Sequence, residues 1–123
     1  MSEEFNEEEL MAELLQDFLE TTPEILEDIE AKLMNIQESE SIEEVLDVKR
    51  MLHSLKGSAQ AIDLKVIGDE IHNLETVIDT NVTAKSITGV YDNTMGFVDG
   101  LRKVLSGLAD GQTEESLKFH FAS

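Results

Sequence analysis

Between Val45 and Ile62 apolar residues return at alternating steps of three and four: Val45, Val48, Leu52, Leu55, Ala59 and Ile62. Residues three and four apart share one face of an α-helix, whereas a strand would alternate at every second residue. The run therefore reads as the seam of a helix packed in a bundle. Similar steps recur in Leu10, Met11, Leu14, Leu15, Phe18 and Leu19, in Ile25, Leu26, Ile29, Leu33 and Ile36, and in Ile67, Ile71, Leu74 and Ile78. No stretch alternates like a strand, and neither a Gly-rich phosphate loop nor a fixed-period repeat is visible. The pattern predicts an all-α protein, an antiparallel bundle of about five helices with a four-helix core.

Local signals place the boundaries. Thr22-Pro23 has the form of a cap followed by a first helical proline, so it separates a first helix from a second that fades at Gln37-Glu38-Ser39-Glu40. Ser41 and Glu44 have the spacing of a capping box and open a third helix over roughly 42–62. Asp63-Leu64 is a short connector, which makes the third and fourth helices antiparallel neighbours. The fourth runs until Asp79-Thr80-Asn81 interrupts it. Ile87, Val90, Tyr91, Val98, Leu101, Val104, Leu105 and Leu108 mark a fifth, weakened by Gly89, Gly96 and Gly100 at up to about 1 kcal/mol each relative to Ala. The domain is expected over 1–109, with 110–123 as a loosely ordered tail in which His120 has no role.

At 123 residues and 41% hydrophobic, the chain has room for one domain with a sizeable core. It has no cysteine, which excludes disulfides and thiolate metal sites and fits a cytoplasmic setting. The N-terminus has no secretory pattern, and no segment approaches the roughly 18 apolar residues of a membrane span. The net charge is −18, and nearly all of the excess lies in residues 1–47, where seventeen acids face Lys32 alone. Repulsion makes nucleic acid and anionic membranes poor partners, leaving a protein or a small ligand. A monomer is expected.

Against that background one neighbourhood stands out. His53 lies beside the apolar seam and not in it, and Lys49, Arg50 and Lys56 stand within a turn of it in a chain with only nine Lys and Arg. Reversal of the chain near residue 63.5 brings His53 level with residue 74, between His72 and Glu75. Geometry thus proposes a cluster of His53, Lys56, His72 and Glu75. An imidazole with a pKa near 6.5 offers a nucleophilic nitrogen at neutral pH, so His53 is a candidate acceptor of a phosphoryl group. Glu75 is the candidate to hold Nδ1 and leave the Nε2 lone pair free. Lys56 would neutralise phosphoryl oxygens, and Gly57 removes bulk where a partner must approach, beside Lys49 and Arg50. Each residue also has an ordinary explanation: an exposed histidine, a margin hydrogen bond for His72, a good helix former in Glu75.

The run His53-Ser54-Leu55-Lys56-Gly57-Ser58-Ala59 resembles the H-x-L-K-G-S/G-A signature of histidine-containing phosphotransfer (HPt) domains. Ile71-His72-Asn73-Leu74-Glu75 is similar to the H-x-L-E segment of the N-terminal phosphoacceptor domain of CheA chemotaxis kinases. The resemblance implies that an ATP-bound histidine kinase domain phosphorylates His53 on Nε2, and that the group passes to an aspartate of a response-regulator receiver domain. It also implies that Glu75, Lys56 and His72 complete the site. Where the family usually has glycine after the motif helix, this chain has Asp63, a residue that tolerates left-handed backbone. No cofactor or ATP pattern is present, so the chain reads as phosphoacceptor and carrier, either a kinase fragment or a free HPt protein, and not as an autonomous enzyme. Two other readings remain: a metal-binding bundle through His53, His72 and Glu75, disfavoured by the cationic Lys56, and a purely structural bundle that docks a partner.

Overall fold

The computed structural model describes residues 6–122. Residues 1–5 and 123, at the ends of the expected domain and tail, lie outside the described residues. Five α-helices follow in order: α1 (Glu7–Ser39), α2 (Ile42–Ala61), α3 (Lys65–Thr83), α4 (Ile87–Ala109) and α5 (Glu114–Leu117), and a single 3-10 turn covers Lys118–Phe121. There is no strand among the described residues. The long helices α1 to α4 pack in a closed ring, α1 on α2, α2 on α3, α3 on α4 and α4 back on α1. Their inward faces form one core that includes Leu26, Ile29, Leu33, Val48, Leu52, Ile67, Ile71, Ile78 and Leu101, all fully buried. The all-α bundle with a four-helix core is what the periodicity predicts.

Three expectations fail, each for a physical reason. The first and second helices are one, because α1 runs through Pro23 without a break and is about 50 Å long. Proline at this point removes the N–H that would reach the Leu19 carbonyl and costs about 3 kcal/mol relative to alanine. The continuous helix keeps Phe18, Thr22, Leu26 and Ile29 on one buried face, and a break would unseat that row. Thr22 therefore caps no new helix: it is buried inside α1, and its hydroxyl has no hydrogen-bond partner among the described residues.

The C-terminal segment is no loose tail. Residues 113–121 fold back as a strap across α4, with Leu117 buried and Phe121 stacked on Phe97 at a ring separation of 5.6 Å. The glycines that weaken α4 as a sequence pattern make this possible. A Cβ at Gly100 would stand 2.7 Å from the His120 carbonyl oxygen, and one at Gly107 would stand 2.4 Å from Leu117 Cδ2. The strap also supplies what α3 lacks. Leu64, at the start of α3, offers no side-chain cap, and the Glu114 carboxylate accepts from the Ile67 N–H at 2.8 Å. Burial pushes the Glu114 carboxyl above its ordinary value, although bonds from the Ile67, Val66 and Lys65 amides pull the other way.

The connection that positions the site is the one between α2 and α3. Ser41 caps α2 by accepting from the Glu44 N–H at 3.4 Å, while the Glu44 carboxylate turns to Asn35 and leaves the box half closed. At the other end Asp63 adopts φ 59°, the left-handed conformation expected of it, and α3 starts two residues later. α3 continues through Asp79-Thr80-Asn81 to Thr83, because the hydroxyl of Thr80 and the amide of Asn81 bond back to the carbonyls of Thr76 and Val77 and stay within the helical turn.

Candidate functional site

α2 and α3 run antiparallel, and their cross-links give the register directly. Lys49 pairs with Asp79, and His53 faces Glu75, two pairs symmetric about residue 64. The seam residues Val48, Leu52 and Leu55 are buried, which leaves His53 on the outer flank of α2 with 72% of its side chain exposed. Its Nδ1 lies 3.4 Å from Glu75 Oε2. That spacing exceeds the best hydrogen-bond length. With Nδ1 turned towards α3, the Nε2 edge faces solvent.

Glu75 is shared. Its other oxygen, Oε1, accepts from Lys56 Nζ at 2.5 Å, and both of these side chains are largely buried, at 17% and 15% exposure. Seam packing of Leu55 and Leu74 against the core fixes the backbones from which Lys56 and Glu75 project. The carboxylate is therefore held from one side by an ammonium and presented to the imidazole on the other. Gly57 follows one turn after His53, and a Cβ there would meet nothing within 4 Å. It is not a packing glycine; it keeps the surface beside His53 low.

The remaining expected residues divide. Lys49 and Arg50 line the same open cleft as His53, about 560 Å³ in volume, with Leu46, Ser54 and Glu75. Each is already paired with a carboxylate, Lys49 with Asp79 and Arg50 with Asp47. His72 is exposed, and among the described residues its side chain makes no hydrogen bond or ion pair with His53, Lys56 or Glu75. Three residues before Glu75, it lies about 60° further round α3, away from the core and past the face turned to α2. The expected four-residue cluster is a three-residue one. Among the described residues no three His, Cys, Asp or Glu side chains converge as a metal site would require.

Sequence reasoning missed Glu114, which holds the start of the helix carrying Glu75. Its only signals are the pair Gly100 and Gly107, two turns apart on α4, and the pair Leu117 and Phe121, four residues apart in the segment that covers them. No helix among the described residues is long and apolar enough to cross a membrane.

Comparison with known proteins agrees with this architecture. The chain is 29% identical over 108 residues to a gliding motility regulatory protein of Myxococcus xanthus, an alignment that covers 85% of this chain and 14% of that much longer relative. No solved structure matches it. Residues 13–111 match the family described as Hpt domain. A four-helix bundle that bears an exposed histidine in the run His53-Ser54-Leu55-Lys56-Gly57, and a family match across most of its length, place the chain in the Hpt domain family, the histidine phosphotransfer modules of two-component phosphorelays.

Proposed function

We propose that His53 is the phosphoacceptor of this domain, charged by the ATP-bound domain of a histidine kinase and discharged to an aspartate of a receiver domain. The observation that carries the reading is the exposed imidazole whose Nδ1 faces a carboxylate anchored by lysine. In the first step the Nε2 lone pair attacks the γ-phosphorus, the N–P bond forms, and the P–O bond to ADP breaks, with ADP as leaving group. The Nδ1 proton stays on the ring, against Glu75, and the ring becomes cationic. In the second step a carboxylate oxygen of the receiver attacks phosphorus, the P–N bond breaks, and neutral His53 is regenerated. Positioning and charge do the work, with no covalent chemistry beyond the transfer itself.

The finer assignment, to the phosphoacceptor type found in chemotaxis kinases, rests on Glu75 on α3 and on the resemblance of its segment; a motility-regulating relay would also suit the Myxococcus relative. Partner access is argued from α2, where Ile42 and Leu46 are exposed apolar residues in line with His53 and Gly57. Such a strip offers a receiver or kinase a surface to dock on. Incubation with a histidine kinase and ATP should leave an acid-labile, alkali-stable phosphoryl mark. His53→Gln should abolish it, and persistence of the mark in that variant refutes the assignment. Glu75→Ala should slow phosphorylation while the helical content stays unchanged.

A further inference from the structure

Three cations stand near His53, and the structure separates them. Lys56 is committed to Glu75 at 2.5 Å and largely buried. Lys49 is paired across the interface with Asp79, and only 27% of its side chain is exposed. Arg50 is different. It shares the open cleft with His53, 72% of its side chain is exposed, and among the described residues its sole ion-pair partner is Asp47, three residues back on the same helix at 2.5 Å. Exposed pairs at that spacing are weak. Asp47 would not be stranded by its loss, because its second oxygen already lies 3.6 Å from Lys32 on α1.

Resting on the phosphoacceptor reading of His53, we propose that Arg50 leaves Asp47 and binds the phosphoryl oxygens as His53 is phosphorylated, while Lys32 keeps Asp47 neutralised. Arg50 and His53 lie three residues apart, on neighbouring positions of one helix face. The planar guanidinium presents paired N–H donors that match two phosphoryl oxygens, which a lysine cannot do. Lys56 then acts on Glu75, and Arg50 is the residue that meets the transferred group. In the unphosphorylated protein the Asp47 pair parks the guanidinium beside the nucleophile.

The test needs no cognate kinase, because phosphoramidate donates a phosphoryl group directly: the Nε2–P bond forms, the phosphoramidate P–N bond breaks, and ammonia leaves. Phosphorus NMR follows the rate in the intact chain and in Arg50→Ala, Arg50→Lys, Lys56→Ala and His53→Gln. We expect Arg50→Ala to react about threefold more slowly at low salt, as suits one exposed charge-assisted contact. Arg50→Lys should recover the charge-dependent part, and the difference should vanish near 1 M salt, where screening reaches about 3 Å. In the wild-type protein, exchange of the Arg50 Nε–H with solvent should slow on phosphorylation. Equal rates for Arg50→Ala and wild type at low salt, with Nε–H exchange unchanged, overturn the role of Arg50. So does a deficit that survives high salt, or one seen in Lys56→Ala and absent from Arg50→Ala. A mark that persists in His53→Gln overturns the phosphoacceptor reading instead.

Discussion

Gly96 and Gly100 lie one turn apart on α4, and replacing each with alanine should move stability in opposite directions. Gly96 is exposed, and a methyl there meets nothing within 4 Å, so Gly96→Ala gains only the helix preference of alanine, about 0.5–1 kcal/mol. Gly100→Ala gains the same preference but places its Cβ 2.7 Å from the His120 carbonyl and 3.2 Å from Phe121 Cδ1. The first neighbour is backbone and cannot rotate aside, so the strap must lift. Lifting it forfeits the Phe97–Phe121 stack, about 1 kcal/mol, and the burial of half-exposed Phe121, about 1–1.5 kcal/mol. After the helix gain is subtracted, Gly100→Ala is destabilising by about 1–2 kcal/mol. The two variants then differ by about 2–3 kcal/mol, or roughly 1 M in the urea midpoint for a domain of this size. Urea unfolding followed by far-UV circular dichroism reads this directly. If both variants shift upward together, the strap does not bear on α4 and the account of the glycines is wrong.

Glu114→Ala should cost about 1 kcal/mol, the ordinary worth of a helix cap, since α3 has no other side-chain cap at its start; thermal melting that leaves the variant at the wild-type midpoint would dismiss the contact. Pro23→Ala should stabilise the chain by about 2 kcal/mol, the helix cost of proline less the rigidity it lends the unfolded chain, with denaturant melts as the check. Stability should also rise as the pH falls through the raised values of two partly buried carboxyls towards 4.5. Burial raises the carboxyls of Glu70 and Glu114 above 4.5, so the folded state binds their protons more tightly than the unfolded state does, and each gives up stability as pH climbs from 4.5 through its raised value. Glu30, lowered by its bond to Arg102, contributes the opposite way only at still lower pH, losing its contribution as pH falls through its depressed value. Glu114→Gln should flatten part of that slope while keeping an acceptor oxygen for Ile67; an unaltered pH profile in this variant would contradict the assignment.

Much of the architecture was legible because it depends on neighbours in sequence. The Ser41 cap, the seam from Val45 to Ala59 and the left-handed Asp63 are each decided within a turn or two, and the level of His53 with Glu75 follows from one tight reversal. What was not legible depends on distant packing. Pro23 looks like a helix start to any local rule, and only the buried row on both sides of it holds α1 continuous. His72 shares its short motif with Glu75, yet the angle between them on α3 separates one from the cluster. The strap has no periodicity of its own; its order comes from Leu117 and Phe121 settling where α4 has no side chains. The commitments of Lys49 and Lys56, which leave Arg50 as the exposed cation by His53, depend on carboxylates from another helix.

The bond from Ile67 to Glu114 spans 47 residues, and this separation has a consequence for how the protein is made. During synthesis α3 leaves the ribosome long before the carboxylate that completes its first turn. Until Glu114 and Leu117 arrive, the helix bearing Glu75 has an open end and α4 has two bare glycines. The start of the helix that bears Glu75 is thus completed by a segment made 47 residues later, so α3 acquires its closed end only after α4 has been synthesised.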